Sequence, residues 1–131
     1  MEKIERISRA LDRAELRFET FFMMAPCLLC IANPRGYLIH VNPAWTKLLG
    51  WTEEEISSRP YIDFVHPDDV FRTRAVARQM GLPDGEAISH FINRYRDRDG
   101  KYHFIKWTCS IFINGLAYAL SEEVAGFSDG G

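Results

Sequence analysis

Several features that would assign this chain to a large class of proteins are missing from its sequence. No apolar run approaches the length needed to span a bilayer, and the N-terminus is charged, unlike a signal peptide. The net charge is only −2, so the composition gives no basic surface for nucleic acid. We therefore expect a cytoplasmic, soluble domain with no membrane segment in this chain and no nucleic-acid partner.

Cysteine is scarce, and the count of three is odd, which does not suit the disulfide framework of a small secreted domain. Cys27 and Cys30 are spaced like half of a zinc site, but positions i and i+3 of a strand face opposite ways, and no second half follows. Ile31 stands where the covalent haem motif requires histidine. We predict no metal site here.

Motifs of common enzymes are also missing. The chain has no glycine-rich phosphate loop and no segment typical of a kinase, a cyclase or a phosphoacceptor. Helix starts and turns account for eight of the acidic residues: Glu53, Glu54, Glu55, Asp68, Asp69, Asp84, Asp97 and Asp99. We therefore expect no catalytic residues, and we place any output domain of kinase or cyclase type outside this chain or in another protein.

What the sequence does contain begins with an amphipathic helix over residues 1–22. Its apolar side chains recur at spacings of three and four, the a/d pattern of a two-stranded coiled coil. Three heptads are the minimum for that pattern, so packing of the stripe on its own domain stays an alternative, and the two arrangements can coexist. The predicted dimerisation residues are Ile4, Ile7, Leu11, Ala14, Phe18 and Phe21.

Short strands and helices are predicted after Pro26, which ends the first helix. Residues 27–32 and 37–41 read as two strands joined by a turn. Asn42 before Pro43 suits a helix start, with Asn42 as the cap, and Gly50 suits its end.

Two further helices and a loop complete the middle of the chain. Thr52 and Glu55 are spaced as a capping box that opens a short helix. Asp68 and Asp69 favour the start of a helix over residues 70–80, and residues 81–85 form a loop rich in helix breakers.

The last third predicts a three-stranded antiparallel meander. Residues 88–97, 102–113 and 116–120 are strand-like. Asp99-Gly100 and Asn114-Gly115 join them as tight hairpin turns, in which both residues are expected to take positive φ. Residues 125–131 are expected to be a flexible tail.

These turn and cap signals, taken in their order, resemble those of a PAS domain, a small sensory module of signalling proteins. The resemblance covers nearly all of residues 20–121, and residues 94–107 are most similar to the PAS subfamily of bacterial sensor kinases and diguanylate cyclases. The segments that carry it are Asn33-Pro-Arg-Gly36, Asn42-Pro43-Ala44, Gly50-Trp51-Thr52, His66-Pro67-Asp68-Asp69, Arg98-Asp99-Gly100 and Asn114-Gly115.

The resemblance implies an α+β fold. A five-stranded antiparallel sheet is expected to carry short helices on one face, with any ligand between the two. The chain would then have three segments: the helix at 1–22, a PAS domain at 23–124 and the tail at 125–131. Ser121-Glu122-Glu123 stands where the family often carries Asp-Ile-Thr before an output helix, which shifts the expected transmission to the N-terminal helix.

The resemblance also bears on cofactors. Haem-binding relatives usually place a histidine on the helix equivalent to residues 70–80, which has none here. Light-sensing flavin relatives carry a reactive cysteine in an Asn-Cys-Arg segment, which is absent. Haem and covalent flavin are therefore not supported, non-covalent flavin stays open, and the cofactor is unknown.

Strand alternation predicts which side chains face the helices. One face of residues 102–113 carries His103, Ile105, Trp107 and Cys109, and the family's hairpin pairing adds side chains from residues 91–95 and Ala117 with Ala119. Polar groups on this apolar wall suit a small aromatic or carboxylate ligand, or they bond to one another in a filled core. The predicted ligand-binding residues are Phe91, Asn93, Tyr95, Ile105, Trp107 and Cys109.

The sequence therefore predicts a sensory or regulatory module that binds a small molecule or a partner and forms a homodimer through its N-terminal helix. It would belong to two-component or cyclic-di-GMP signalling. A ligand-free module used for protein contact is the first alternative. A small isomerase-like α+β enzyme is the second, and for it His103 is the one titratable candidate, without an evident partner.

Overall fold

The structure is a computed structural model that describes residues 1–81, 83, 85–109 and 112–127. In chain order its helices and strands are α1 (Glu2–Met24), β1 (Leu28–Ala32), β2 (Leu38–Val41), α2 (Pro43–Leu49), α3 (Glu53–Ser57), α4 (Val70–Met80), β3 (Ile88–Arg96), β4 (Tyr102–Cys109) and β5 (Ala117–Val124). Two short 3-10 segments, Tyr61–Phe64 and Pro67–Asp69, lie between α3 and α4.

The strands form one antiparallel sheet in the order β2-β1-β5-β4-β3. The last strand therefore lies at the centre, between the N-terminal hairpin and the C-terminal hairpin. The predicted α+β class is confirmed, with a five-stranded sheet, short helices and a long helix before them. None of the described helices has the length and apolar content needed to cross a membrane.

Helix α1 ends at Met24 because Ala25, the residue before Pro26, takes an extended conformation. Its last turn contacts the sheet through Phe22, which is the buried residue of the helix. The ring of Phe22 stacks on that of His40 in β2, with the centroids 4.3 Å apart, and Glu19 Oε1 lies 3.5 Å from His40 Nε2. The rest of the helix leaves the sheet with its apolar stripe exposed.

Asn42 occupies the predicted cap position of α2, but its side chain makes no capping hydrogen bond. Its Oδ1 accepts from the Leu29 backbone N–H at 3.0 Å, and its Nδ2 donates to the Cys27 carbonyl at 3.0 Å. Trp45 Nε1 donates to the Leu29 carbonyl at 3.1 Å. The predicted cap position is therefore confirmed, whereas the Asn42 side chain joins α2 to β1 instead of capping the helix.

The other predicted helix signals are confirmed. Gly50 ends α2 in the left-handed region at φ 83°, and its N–H donates to the Thr46 carbonyl at 2.8 Å. At the start of α3, Thr52 Oγ1 accepts from the Glu55 N–H at 3.1 Å, and Glu55 Oε1 accepts from the Thr52 N–H at 3.0 Å. This is the reciprocal capping box.

The two predicted hairpin turns differ in outcome. Asn114 and Gly115 both take positive φ, 51° and 81°, as predicted. In the β3–β4 turn only Gly100 does so, at φ 88°, so the expectation for Asp99 is wrong. The reason is Asp97, whose Oδ1 accepts from the N–H groups of Asp99 and Lys101 at 2.9 Å each and fixes a longer turn.

The last strand is longer than predicted. It was expected to end at residue 120, but β5 continues to Val124, which pairs with Phe104 of β4. Ser121, Glu122 and Glu123 were missed because their polarity argues against a strand, yet they pair with Trp107, Lys106 and Ile105. Parts of the predicted 81–85 loop, 102–113 strand and 125–131 tail lie outside the described residues, namely 82, 84, 110, 111 and 128–131.

The core lies between the inner face of the sheet and the short helices. Trp45 of α2 is 2% exposed and packs edge-on against Tyr95 of β3, with ring centroids 5.7 Å apart. The Trp107 ring lies 5.8 Å from Trp45 and 5.6 Å from Tyr95. Three aromatic side chains therefore fill the centre of the core, where each contributes a large buried apolar area.

Candidate functional site

A cavity of about 80 Å³ lies beside this aromatic cluster, between the inner face of the sheet and α4. Among the predicted ligand-binding residues, five lie in its wall: Phe91, Asn93, Tyr95, Trp107 and Cys109. Ile105 is fully buried in the core and is absent from the wall. Helix α4 adds Thr73 and Met80, and β1 adds Cys30, all of which the sequence analysis left out.

The polar groups of the wall form a hydrogen-bonded chain. Trp107 Nε1 donates to Asn93 Oδ1 at 2.7 Å, and Asn93 Nδ2 donates to Thr73 Oγ1 at 3.2 Å. Thr73 Oγ1 in turn donates to the Asp69 backbone carbonyl at 2.8 Å. These side chains are buried, and the hydrogen bonds satisfy them without a ligand. The chain also fixes β3 and β4 to the first turn of α4.

Asp69 is the last residue of this hydrogen-bonded series, and its carboxylate is nearly fully buried. It accepts from the Arg94 backbone N–H at 2.8 Å and from Arg94 Nε and Nη2 at 2.9 and 2.8 Å. Arg72 Nη2 adds a contact at 3.3 Å. Burial acts to raise the pKa of Asp69, but the hydrogen bonds from Arg94 outweigh it and hold the pKa below its usual value. Helix α4 does start directly after Asp69, as predicted, but the Asp69 carboxylate makes no capping hydrogen bond and faces β3.

Tyr95 differs from its neighbours on the wall. The residue is 2% exposed, and none of the described residues makes a hydrogen bond to its hydroxyl group. Burial raises the pKa of Tyr95 well above its usual value, so the hydroxyl keeps its proton. Burial likewise raises the pKa of Cys30, and that of Cys109 to about 12, so both thiols are neutral.

No charged side chain is present in the described part of the cavity wall. Its exposed area is almost wholly apolar, and its polar side chains are Asn33, Tyr61, Tyr95 and the bonded chain of Trp107, Asn93 and Thr73. The carboxylate ligand considered from the sequence would therefore find no cation there. Buried charges without partners are strongly disfavoured.

His103 lies near the start of β4, outside the cavity wall. The expectation that it lacks a partner is wrong. Its Nε2 lies 2.8 Å from Asp97 Oδ2, and its Nδ1 lies 2.6 Å from Glu123 Oε2. Burial acts to lower the pKa of His103, but the hydrogen bonds with Asp97 and Glu123 outweigh it and raise the pKa. The sequence could not show this because the partners come from a turn and from a strand end.

The cysteine pair does not converge on a common site. Cys30 is buried and lies in the cavity wall, whereas Cys27 is partly exposed before β1. Within the described ranges, no group of three or more His, Cys, Asp or Glu side chains is arranged to hold a metal ion.

The predicted dimerisation residues lie on α1, where the structure leaves them uncovered. Leu11 is 65% exposed and Phe21 is 77% exposed. All six predicted residues are exposed: Ile4, Ile7, Leu11, Ala14, Phe18 and Phe21. Such a stripe is apolar surface that a single chain does not bury.

Near the sheet, α1 and the outer face enclose an apolar groove. Phe18 and Phe22 form its helix side, and Leu29, Ile31 and Leu120 form part of its sheet side. Strand β1 therefore lies between two spaces, because Leu29 and Ile31 line the groove, Ala32 lines the cavity and Cys30 lines both.

Comparison with known proteins identifies the fold family. The sequence model of the PAS fold matches residues 38–117. No curated protein sequence matches the chain. The solved PAS domain of an HTR-like protein from Haloarcula marismortui superposes with a TM-score of 0.75 at 21% identity, covering 92% of this chain and 99% of that one.

Two further solved structures are similar to this chain. A domain of a sensory box sensor histidine kinase/response regulator from Geobacter sulfurreducens gives a TM-score of 0.70 at 18% identity, covering 86% of this chain and 96% of that one. A PAS domain from Colwellia psychrerythraea gives 0.73 at 15% identity, covering 85% and 97%. With the family match spanning more than half of its length, this chain belongs to the PAS family.

Proposed function

We propose that this chain is a cytoplasmic sensory module in which a small molecule in the cavity changes how two copies pair through α1. The observation that carries the proposal is the position of β1. Ala32 of this strand lines the cavity, Leu29 and Ile31 line the groove under α1, and Cys30 lines both. A shift of this strand on ligand binding would therefore change the position of α1 on the sheet.

The pairing half of the proposal rests on the exposed stripe of α1. Its residues follow the a/d spacing, and a second copy of the helix would cover them. The ligand half rests on the cavity. A ligand acts on such a switch only through different affinities for the two states. We place the output domain, of kinase or cyclase type, outside this chain or in another protein.

Native mass spectrometry of protein purified without added cofactor tests both halves together. We expect a dimer at micromolar concentration. Excess mass that leaves on denaturation would identify a resident ligand directly. A monomer that carries no ligand across this concentration range would contradict the proposal.

A ligand-free module used for protein contact is the second candidate. The hydrogen bonds that join Trp107, Asn93 and Thr73 favour it, since these buried polar groups already have partners. This candidate predicts a dimer whose stability does not respond to any small molecule.

A further inference from the structure

The Tyr95 hydroxyl is the starting point of a specific inference about the ligand. It is a donor and acceptor on a buried residue in the wall of the cavity, and no described residue bonds to it. Most buried side-chain polar atoms in native proteins have a partner. The neighbouring Asn93 and Trp107 already bond to each other, so they do not satisfy it. A group inside the cavity would have to do so.

The surroundings restrict what that group is. Burial keeps Tyr95 protonated, so its O–H can donate to an oxygen acceptor. The described wall offers no cation to an anionic ligand and no carboxylate to a cationic one. A charged ligand would lose its hydration without compensation.

The volume restricts the size of the ligand. The cavity measures about 80 Å³, less than the roughly 150 Å³ of an apolar cavity that holds benzene. Apart from the polar side chains Asn33, Tyr61, Thr73, Asn93, Tyr95 and Trp107, the wall is formed by hydrocarbon and sulfur side chains such as Val76, Met80 and Phe91. The ligand should therefore have a few apolar heavy atoms around its oxygen.

We propose that the cavity binds a small neutral molecule with an apolar body and one oxygen acceptor, such as a ketone or an ether, and that the Tyr95 hydroxyl donates to that oxygen. This inference rests on the proposed function for its biological meaning. It assigns Tyr95 as the residue that determines specificity, because it selects an acceptor oxygen over plain hydrocarbon. The uncharged wall selects against the carboxylate of similar shape.

Three probes of similar size, each with four heavy atoms to suit the small cavity, separate these contributions. Acetone has the acceptor, acetate replaces one of its methyl groups with a charged oxygen, and isobutane has no oxygen. Titration of the isotope-labelled full chain, followed by NMR shifts of residues in the cavity wall, gives each dissociation constant. We expect acetone to bind most tightly, isobutane about tenfold more weakly, and acetate not at all.

The variant Tyr95→Phe removes the hydroxyl and leaves the packed ring. It should weaken acetone binding about tenfold and leave isobutane binding unchanged. Tyr102→Phe is the matched control, since Tyr102 is absent from the cavity wall, and it should change neither. The comparison of acetone with acetate uses the wild-type chain, so it remains decisive if Tyr95→Phe does not fold.

Three results would overturn the inference. These are equal affinities of acetate and acetone, a Tyr95→Phe protein that binds acetone as tightly as wild type, and the absence of any shift of the cavity resonances with all three probes at millimolar concentration. The failures are separable. A chain that pairs through α1 but rejects every probe loses this inference and keeps the pairing half of the proposed function. A monomer that prefers the ketone does the reverse.

Discussion

Asp69 and Arg94 are joined by three hydrogen bonds, from the Arg94 backbone N–H and from its Nε and Nη2, at 2.8, 2.9 and 2.8 Å. The bonds connect the residue before α4 with the middle of β3. The guanidinium groups of Arg94 and Arg72 also lie over the Phe127 ring, 5.3 and 5.4 Å from its centroid. One buried carboxylate therefore positions both the helix over the cavity and the residues after β5.

Replacing this carboxylate tests its importance for stability. Asp69→Ala should lower the free energy of unfolding by about 3 kcal/mol, because Arg94 is left without its partner. Asp68→Ala is the matched control, since its side chain is exposed, and it should change stability by less than about 0.5 kcal/mol. Urea unfolding followed by fluorescence measures both. Equal effects of the two variants would contradict this account.

The pH dependence of the same pair follows from the lowered pKa of Asp69. A carboxylate with a lowered folded pKa stabilises the fold above its unfolded pKa, and this contribution disappears as pH falls through the folded pKa. The stability difference between wild type and Asp69→Ala should therefore be full near neutral pH and shrink in acid. A difference that stays constant down to about pH 2 would rule out the ionic explanation.

His103 should give pH dependence of the opposite sign, since its folded pKa is raised. Its stabilising contribution is full below the unfolded pKa of about 6.5 and is lost as pH rises through the folded pKa. Both ring nitrogens face carboxylates, of Asp97 and Glu123, and both can donate only when the ring is protonated. The stability of wild type relative to His103→Gln should therefore fall from about pH 5.5 to about pH 8.5. NMR titration of the ring should give a pKa above the usual value, and a pKa at or below it would refute this prediction.

Ser121 offers a test in the stabilising direction. It is fully buried in β5, and its Oγ has no hydrogen-bond partner in the described structure. Ser121→Ala removes a buried polar atom that gains nothing from burial, so it should raise the free energy of unfolding by about 1 kcal/mol. Ser58→Ala is the contrasting control, because Ser58 Oγ donates to the Glu55 carbonyl at 2.7 Å and its loss should destabilise slightly. A destabilised Ser121→Ala protein would show that its hydroxyl has a partner.

Helix α1 contains a matched pair of leucines for testing pairing. Leu11 lies on the a/d stripe and Leu16 lies off it, yet they are 65% and 66% exposed. If two copies pair through the stripe, Leu11→Glu should give monomers in light scattering at micromolar concentration, whereas Leu16→Glu should remain dimeric. A dimer that survives Leu11→Glu, or one that both substitutions disrupt equally, would argue against the stripe.

The sequence was sufficient for the fold where local chemistry decides the structure. The Asn114-Gly115 turn, the Thr52 capping box and the strand alternation of Trp107 and Cys109 each depend on neighbours along the chain. Together they give the order of the elements and the face of β4 that meets the cavity. The register of Phe91 against Trp107 follows from the β3–β4 hairpin.

The side-chain partners that the sequence analysis missed lie far along the chain. Asn42 and Asp69 stand at helix starts, as predicted, but their side chains bond to a strand. His103 finds Asp97 and Glu123 from two other segments. A local pattern cannot distinguish a cap from a tertiary hydrogen bond, because the same side-chain oxygen serves both. The unpartnered hydroxyl of Tyr95 likewise becomes visible only when its surroundings are known.

The central claim is that the cavity and the pairing of α1 are coupled. The most direct test is sedimentation equilibrium of the wild-type chain, which gives the dimer dissociation constant with and without saturating acetone. Coupling requires the two constants to differ, and by reciprocity the ketone should bind the dimer and the monomer with different affinities. We expect a change of about fivefold or more, the lower end of typical allosteric coupling. A ketone that binds in the cavity and leaves the dimer dissociation constant unchanged would contradict the account.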